Sequence, residues 1–199
     1  MNKQTVIAAV VLAAGRSTRM GDSNKLLADF NGQPMVAQVL AQVEAAGLKQ
    51  ICVVTGHEAD AVEAALSGHA VQFVHNEKYR DGLATSLIAG IRTFGRDVDG
   101  AVIMLGDMPL VRGSDIRLLI EAFQNRRDIC VPLWRGRRGN PVLWGGDYFS
   151  ELQKLSGDKG GRDLLALHAS SVIEVEMTGE GVLQDFDTVE DLALKSGKS

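Results

Sequence analysis

The run VIAAVVLAAG at residues 6–15 decides how the chain is read. Residues 6–12 are apolar without interruption and rich in β-branched side chains, which predicts a strand buried on both faces. Strands of that kind belong to parallel sheets covered by helices, and the following residues supply both. Pro34 opens a helical pattern in which Met35, Val36, Val39, Leu40 and Val43 share one face, and Gly47 stops it. ICVVT (51–55) predicts a second buried strand, EADAVEAAL (58–66) a second helix and AVQFV (70–74) a third strand. Leu83, Leu87, Ile88, Ile91 and Phe94 return to helical spacing before AVIML (101–105), a fourth strand. Ser114 is placed to cap a helix carrying Ile116, Leu119, Ile120 and Phe123, and DICVPL (128–133) is a fifth strand.

Strands alternating with helices of this length imply an α/β fold with helices on both faces of a parallel sheet. After Trp134 the rhythm changes. RGRRGNPVLW (135–144) reads as a turn into a short strand, followed by two helices and the strand-like pieces VIEVEM (172–177) and GVLQDF (181–186). The expectation is a mostly parallel mixed sheet with its late strands added at an edge. With 199 residues, no internal repeat and no low-complexity linker, a single domain is expected, its final SGKS a frayed tail.

Composition limits the function. Hydrophobic residues make up 45% and charged residues 23%, as in globular proteins, and the net charge of −4 argues against a dedicated nucleic-acid or membrane-surface binder. Cys52 and Cys130 sit in β-branched runs as small hydrophobes, and His57, His69, His75 and His168 lack metal-ligand spacing. Lys3 followed by VIAAVVLAA imitates a short secretory signal, but the run is brief and ends in Gly-Arg-Ser-Thr-Arg, so the cytoplasm is the expected compartment. No stretch approaches the ~18 apolar residues of a membrane span.

Any anion site must therefore be local, and the segment leaving the first strand offers one. Residues 12–27, LAAGRSTRMGDSNKLL, hold Arg16, Arg19 and Lys25 against one acid, Asp22. In open α/β sheets, ligands bind at the carboxyl ends of the strands. Gly15 lets the backbone approach a ligand while the three bases meet phosphate oxygens; the bland alternative is a solvated turn. The spacing is neither GxxxxGK[ST] nor GxGxxG. LGDMP (105–109) puts Asp107 at the end of the fourth strand, where it could hold Mg²⁺ or stabilise a turn. In DFDT (185–188), one acid is a candidate helix cap and the other is free for a metal. A basic loop and one or two acids on neighbouring strand ends can clamp a nucleoside triphosphate with Mg²⁺.

LAAGRSTRMG with Lys25, HNEKYRDGLATSL (75–87), LGDMP, GNPVLW (139–144), GDKGGR (157–162) and DFDTVEDL (185–192) resemble, in that order, the MobA-like nucleotidyltransferases. The resemblance is nearest to the molybdenum cofactor (molybdopterin) cytidylyltransferases. It implies a three-layer Rossmann-like fold and Mg²⁺-dependent transfer of CMP from CTP to the terminal phosphate of molybdopterin, with release of pyrophosphate. It implies a nucleotide-binding half over residues 1–110, and an acceptor-binding half with a closing helix over residues 111–199. Carried over by motif, Arg19, Lys25 and Asp107 are catalytic. The nucleotide is held by Leu12, Ala13, Ala14, Gly15, Arg16, Arg19 and Lys25, with Asn76, Gly82 and Ser86 around base and ribose. Asn140, Gly157, Asp158 and Arg162 face the acceptor, and Asp107 binds the metal with Asp187, or with Asp185 as fallback. A molybdoenzyme or its maturation chaperone would be the protein partner.

Several positions depart from that pattern. Asp22, Ser23 and Asn24 put three residues between Gly21 and Lys25 where cytidylyltransferases have two, a length seen in guanylyl relatives. Those relatives read LAGG where this chain has Ala14. Gly161 replaces a usual Ala and Val189 a usual Pro. The competing readings are a relative using GTP or another phosphorylated acceptor, and a non-catalytic chaperone that inserts the cofactor. RGRR (135–138) beside Trp134 is a solvated hairpin tip, a nucleic-acid contact or a guide for an anionic acceptor.

Overall fold

The apolar run forms β1 (Ile7–Ala13) in the interior of the sheet of a computed structural model that describes residues 5–15, 24–157 and 160–186. A small hairpin follows, β2 (Asp29–Phe30) and β3 (Gln33–Pro34), and leads into α1 (Met35–Ala45). The alternating part continues as β4 (Gln50–Thr55), α2 (Ala59–Ala65), β5 (Gln72–His75), α3 (Leu83–Ile91), β6 (Gly100–Leu105), α4 (Gly113–Ala122) and β7 (Ile129–Trp134). The later segments are β8 (Arg137–Arg138), β9 (Val142–Gly145), α5 (Phe149–Leu152), α6 (Arg162–Leu167) and β10 (Val172–Glu176).

The strands run in the order β10-β7-β9-β6-β1-β4-β5, with β8 hooked onto β7. β1 pairs in parallel with both β4 and β6, so Ala8 to Ala13 are all buried. Its pleat divides the core. Ala9, Val11 and Ala13 face α1 and α4 on one side, while Ala8, Val10 and Leu12 face α3 and α5 on the other. A side chain on Gly90 of α3 would put its Cβ 2.3 Å from Val10 Cγ1, so the glycine lets this helix lie close on the sheet. The α/β class and the mostly parallel mixed sheet are as the sequence predicts.

The late strands depart from expectation. Instead of both extending an edge, β9 is inserted between β6 and β7 and is antiparallel to each, and only β10 is an edge strand, parallel to β7. GVLQDF is not a strand: Glu180–Leu183 is a 3-10 turn, packed so closely that a Cβ on Gly181 would lie 2.3 Å from the Leu110 carbonyl oxygen. Ser114 does not cap α4. The cap is Arg112, two residues earlier, and the helix starts at Gly113, whose amide donates to Gln42 Oε1 (2.9 Å), while the Arg112 amide donates to Asp115 Oδ2 (3.0 Å). β5 begins at Gln72, and Phe94 lies beyond the end of α3. No helix among the described residues is long and apolar enough to cross a membrane.

Candidate active site at the carboxyl ends of the strands

Asp107 leaves the carboxyl end of β6 beside the end of β1. The Gly106 amide donates to the Leu12 carbonyl (3.0 Å), and a Cβ on Gly106 would lie 2.9 Å from that same oxygen. Gly106 thus lets the two strand ends stay zipped one residue past the sheet, which sets where the next side chain emerges. The Asp107 carboxylate meets Lys25, whose Nζ donates to Oδ2 at 2.6 Å. Lys25 is fixed from its own side. It opens a 3-10 turn (Lys25–Leu27) whose N-cap, buried Asn24, accepts the Leu26 amide on Oδ1 (3.1 Å), while Leu26 is sunk in the core. With side-chain exposures of 13% and 19%, Lys25 and Asp107 form a partly desolvated pair, stronger than an open surface contact.

The third acidic segment reaches the same place through its backbone. The Phe186 amide donates to the Asp107 carbonyl (3.0 Å), and the buried Phe186 ring stands edge-on to Phe30, centroids 5.3 Å apart. Asp185 is exposed beside this anchor; Asp187 lies outside the described residues. Among the described residues no group of three or more His, Cys, Asp and Glu could enclose a metal ion. The donors that are present still fit Mg²⁺, which keeps several waters and is held by one or two carboxylates together with substrate phosphates.

On the nucleotide side, Leu12, Ala13 and Ala14 are buried and Gly15 is exposed, while Arg16 and Arg19 lie outside the described residues. The Ala14 methyl is turned inward: a Cβ on Gly56 would lie 2.9 Å from it and 2.7 Å from the Cβ of Tyr79. Ala14 thereby packs the start of the loop against Gly56. Asn76 is buried and fully engaged, its amide nitrogen donating to Thr85 Oγ1 (2.9 Å) and Ser86 Oγ (3.0 Å) and its Oδ1 accepting the Lys78 amide (3.0 Å). It ties the end of β5 to the first turn of α3. Gly82 precedes that turn at a φ of 108°, a conformation that favours glycine.

On the acceptor side, half-buried Asn140 donates its amide to the Val182 carbonyl (2.8 Å), and Arg162 is the exposed first residue of α6. Asp158 lies outside the described residues. The Gly157 carbonyl accepts the Ala84 amide (3.1 Å), so this motif, assigned by sequence to the acceptor half, rests on the first turn of the nucleotide-side helix α3. Nothing in the sequence signals that contact, because it is made by backbone atoms. Gly161 packs on the buried Trp144 ring. RGRR forms a hairpin tip, with Arg135 (φ 48°) and Gly136 (φ 76°) turning between β7 and β8. Arg135 lies 5.1 Å above the Trp134 ring centroid, and Arg138 pairs with Glu174 (2.7 Å).

The two cysteines play no part in this arrangement. Both are buried, and burial pushes both thiols up, Cys130 to about 12 with a further contribution from the negative charge of Asp128.

Known proteins share this frame. The chain aligns with a nucleotidyl transferase from Methanothermobacter thermautotroptrophicus at a TM-score of 0.85 and 28% identity, covering 96% of each chain. It aligns with Rv0371c from Mycobacterium tuberculosis H37Rv at a TM-score of 0.84 and 32% identity, covering 96% of this chain and 97% of that one. A structure of Rv0371c in complex with manganese is also similar, with a TM-score of 0.78 and 30% identity. Among curated proteins, the bifunctional protein GlmU of Agrobacterium fabrum is 34% identical over 125 residues, 62% of this chain and 28% of that protein. GlmU of Desulfotalea psychrophila is 30% identical over 146 residues, 73% of this chain and 42% of that protein. The chain spans less than half the length of these curated relatives. The MobA-like NTP transferase domain matches residues 9–172, and the chain belongs to that family.

Proposed function

We propose that the protein is a divalent-cation-dependent nucleotidyltransferase that transfers CMP from CTP to the terminal phosphate of molybdopterin. The observation that carries this reading is the meeting of Lys25 and Asp107, 2.6 Å apart, at the end of β6 beside the loop that follows β1. A cationic amine and a carboxylate at one point give a triphosphate and its metal adjacent anchors. The six ordered sequence motifs support cytidylyl transfer to a pterin; membership of the family supports nucleotidyl transfer in general.

The reaction needs positioning and charge neutralisation more than covalent help. An acceptor phosphate oxygen, already ionised at neutral pH, attacks the α-phosphorus; the new O–P bond forms as the bond to the β-phosphate oxygen breaks, and pyrophosphate leaves. No general base is required. Lys25, Arg16 and Arg19 neutralise the triphosphate, and Asn140, Gly157, Asp158 and Arg162 orient the acceptor. Mg²⁺, held by Asp107 with Asp187 or Asp185, would supply charge neutralisation at the transferring phosphorus.

Incubation with each nucleoside triphosphate, Mg²⁺ and molybdopterin, followed by mass analysis, tests the proposal. Cytosine dinucleotide and stoichiometric pyrophosphate are expected. Guanine dinucleotide alone would reassign the base, product with a different phosphorylated acceptor only would reassign the acceptor, and cofactor binding without pyrophosphate would make the protein a carrier.

A further inference from the structure

Lys25 and Asp107 have been given separate tasks, one toward phosphate and one toward metal, yet they occupy each other. The Asp107 oxygen Oδ2 accepts an ammonium hydrogen bond at 2.6 Å, so the carboxylate's charge is already matched by a cation before any metal arrives. Adding a divalent ion with Lys25 in place would set like charges against each other in a site where both side chains are less than one-fifth exposed, so water screens them poorly. The backbones on both sides are fixed, so any exchange is a swing of the lysine side chain alone. The turn carrying Lys25 is pinned by the Asn24 cap and by buried Leu26, and Asp107 is held by the Gly106 and Phe186 backbone bonds.

We infer that Lys25 is the resident counter-ion of the cation site, and that arrival of the triphosphate exchanges it for the divalent ion. The polyanion draws the ammonium to itself and uncovers the carboxylate. Divalent cation and nucleotide then bind with positive coupling: each weakens the Lys25–Asp107 contact, which opposes the other, and the coupling is reciprocal. The free protein binds divalent ions poorly and is protected from loading metal without substrate. This inference rests on the proposed site.

The test is binding of Mn²⁺, followed by its electron paramagnetic resonance signal, to the whole chain with and without the non-hydrolysable α,β-methylene analogue of CTP. Four proteins are compared: the parent, Lys25→Met, Lys25→Arg and Asp107→Asn. Without nucleotide, Lys25→Met is expected to bind Mn²⁺ more tightly than the parent by roughly five- to a hundredfold, the usual range of site coupling. Lys25→Arg, which keeps the cation, should stay within about threefold of the parent, a margin well below that range. The enhancement by the nucleotide analogue should shrink in Lys25→Met. If Lys25→Met binds Mn²⁺ no better than the parent while Asp107→Asn abolishes binding, the counter-ion role is wrong and the metal site stands. If Asp107→Asn binds Mn²⁺ as the parent does, the site assignment itself fails. Should Lys25→Met not fold, an equal affinity of the parent for Mn²⁺ with and without the analogue, after subtracting Mn²⁺ bound to free analogue, overturns the coupling directly.

Discussion

A methyl group at position 161 would place its carbon 2.5 Å from Cζ2 of Trp144, a separation that real side chains do not tolerate. Trp144 is 2% exposed, so its ring has nowhere to retreat. Gly161→Ala should therefore cost roughly 1–3 kcal/mol, the range for overpacking a filled interior. Most of that cost should vanish when Trp144→Phe is added. Urea denaturation of the two single variants and the double variant reads this coupling; additive losses would show that the ring does not enforce the glycine. The sequence shows Gly161 only as a departure from a usual Ala, because the partner that demands it lies 17 residues away on another element. Asp107 was legible, since its motif names it. The Asn24 cap that aims Lys25 was not, because a side chain accepting from the amide two residues on leaves no spacing signature. Asp107→Asn is expected to keep the fold, since the bond to the Phe186 amide is made by its backbone carbonyl and an amide oxygen can still accept from Lys25, and to lower turnover at least a hundredfold. That loss follows from the several kcal/mol that metal-borne charge neutralisation supplies. Parent-like turnover at ordinary Mg²⁺ would remove the carboxylate from catalysis.

Elements carry two further expectations. β7 holds Cys130, whose thiol stays protonated in the fold up to about 12, while in the unfolded chain it ionises near its ordinary value of 9.0. Between those limits the folded state binds the extra proton, so stability falls as pH rises through the window, by up to ~1.4 kcal/mol per pH unit for one group. Below pH 9 this contribution is fully present. Replacing Cys130 with Ala should flatten the alkaline limb of stability against pH, whatever it costs at neutral pH; an unchanged limb would show that other groups set it. The second expectation concerns the join of β5 to α3. Asn76→Ala leaves the amide of Lys78 without its side-chain acceptor and removes the links to Thr85 and Ser86. A destabilisation of ~1–3 kcal/mol is expected, the usual cost of breaking a buried polar network, accompanied by a raised KM for nucleotide because α3 loses its anchor. A raised KM at unchanged stability would instead indicate direct contact with the nucleotide. Element types were readable because periodicity reports burial; the ends of β5 and α4 were not, since they are set by hydrogen bonds to distant residues such as Gln42.

At the scale of the whole molecule, the division into a nucleotide side and an acceptor side predicts separable defects. Lys25→Ala should weaken binding of CTP without divalent ion by ten- to over a hundredfold, the value of a charge-assisted contact to phosphate of ~1.5–3 kcal/mol. Arg162→Ala should weaken molybdopterin and leave CTP nearly unchanged. Calorimetric titration of CTP into each variant decides between them, and equal losses would merge the two sides. The Gly157–Ala84 bond sets a limit to the separation, because through it the GDKGGR segment bears on α3, with Gly160 facing Leu83 nearby. The parallel core could be read from the alternation of strands and helices, whereas the position of β9 could not: pairing partners in a sheet are chosen across the fold, and a four-residue strand carries too little pattern to name them. Its position has a consequence for the order of assembly. β6 and β7 are neighbours in the chain but never touch in the sheet; each is hydrogen-bonded to β9, which is made later than both. During synthesis, β7 and the edge strand that pairs with it have no docking surface on the sheet until residues 142–145 have emerged and slotted in. The first half of the chain can build its sheet as it is made, while the last third must close in one step, like a keystone set after the arch has risen on one side only.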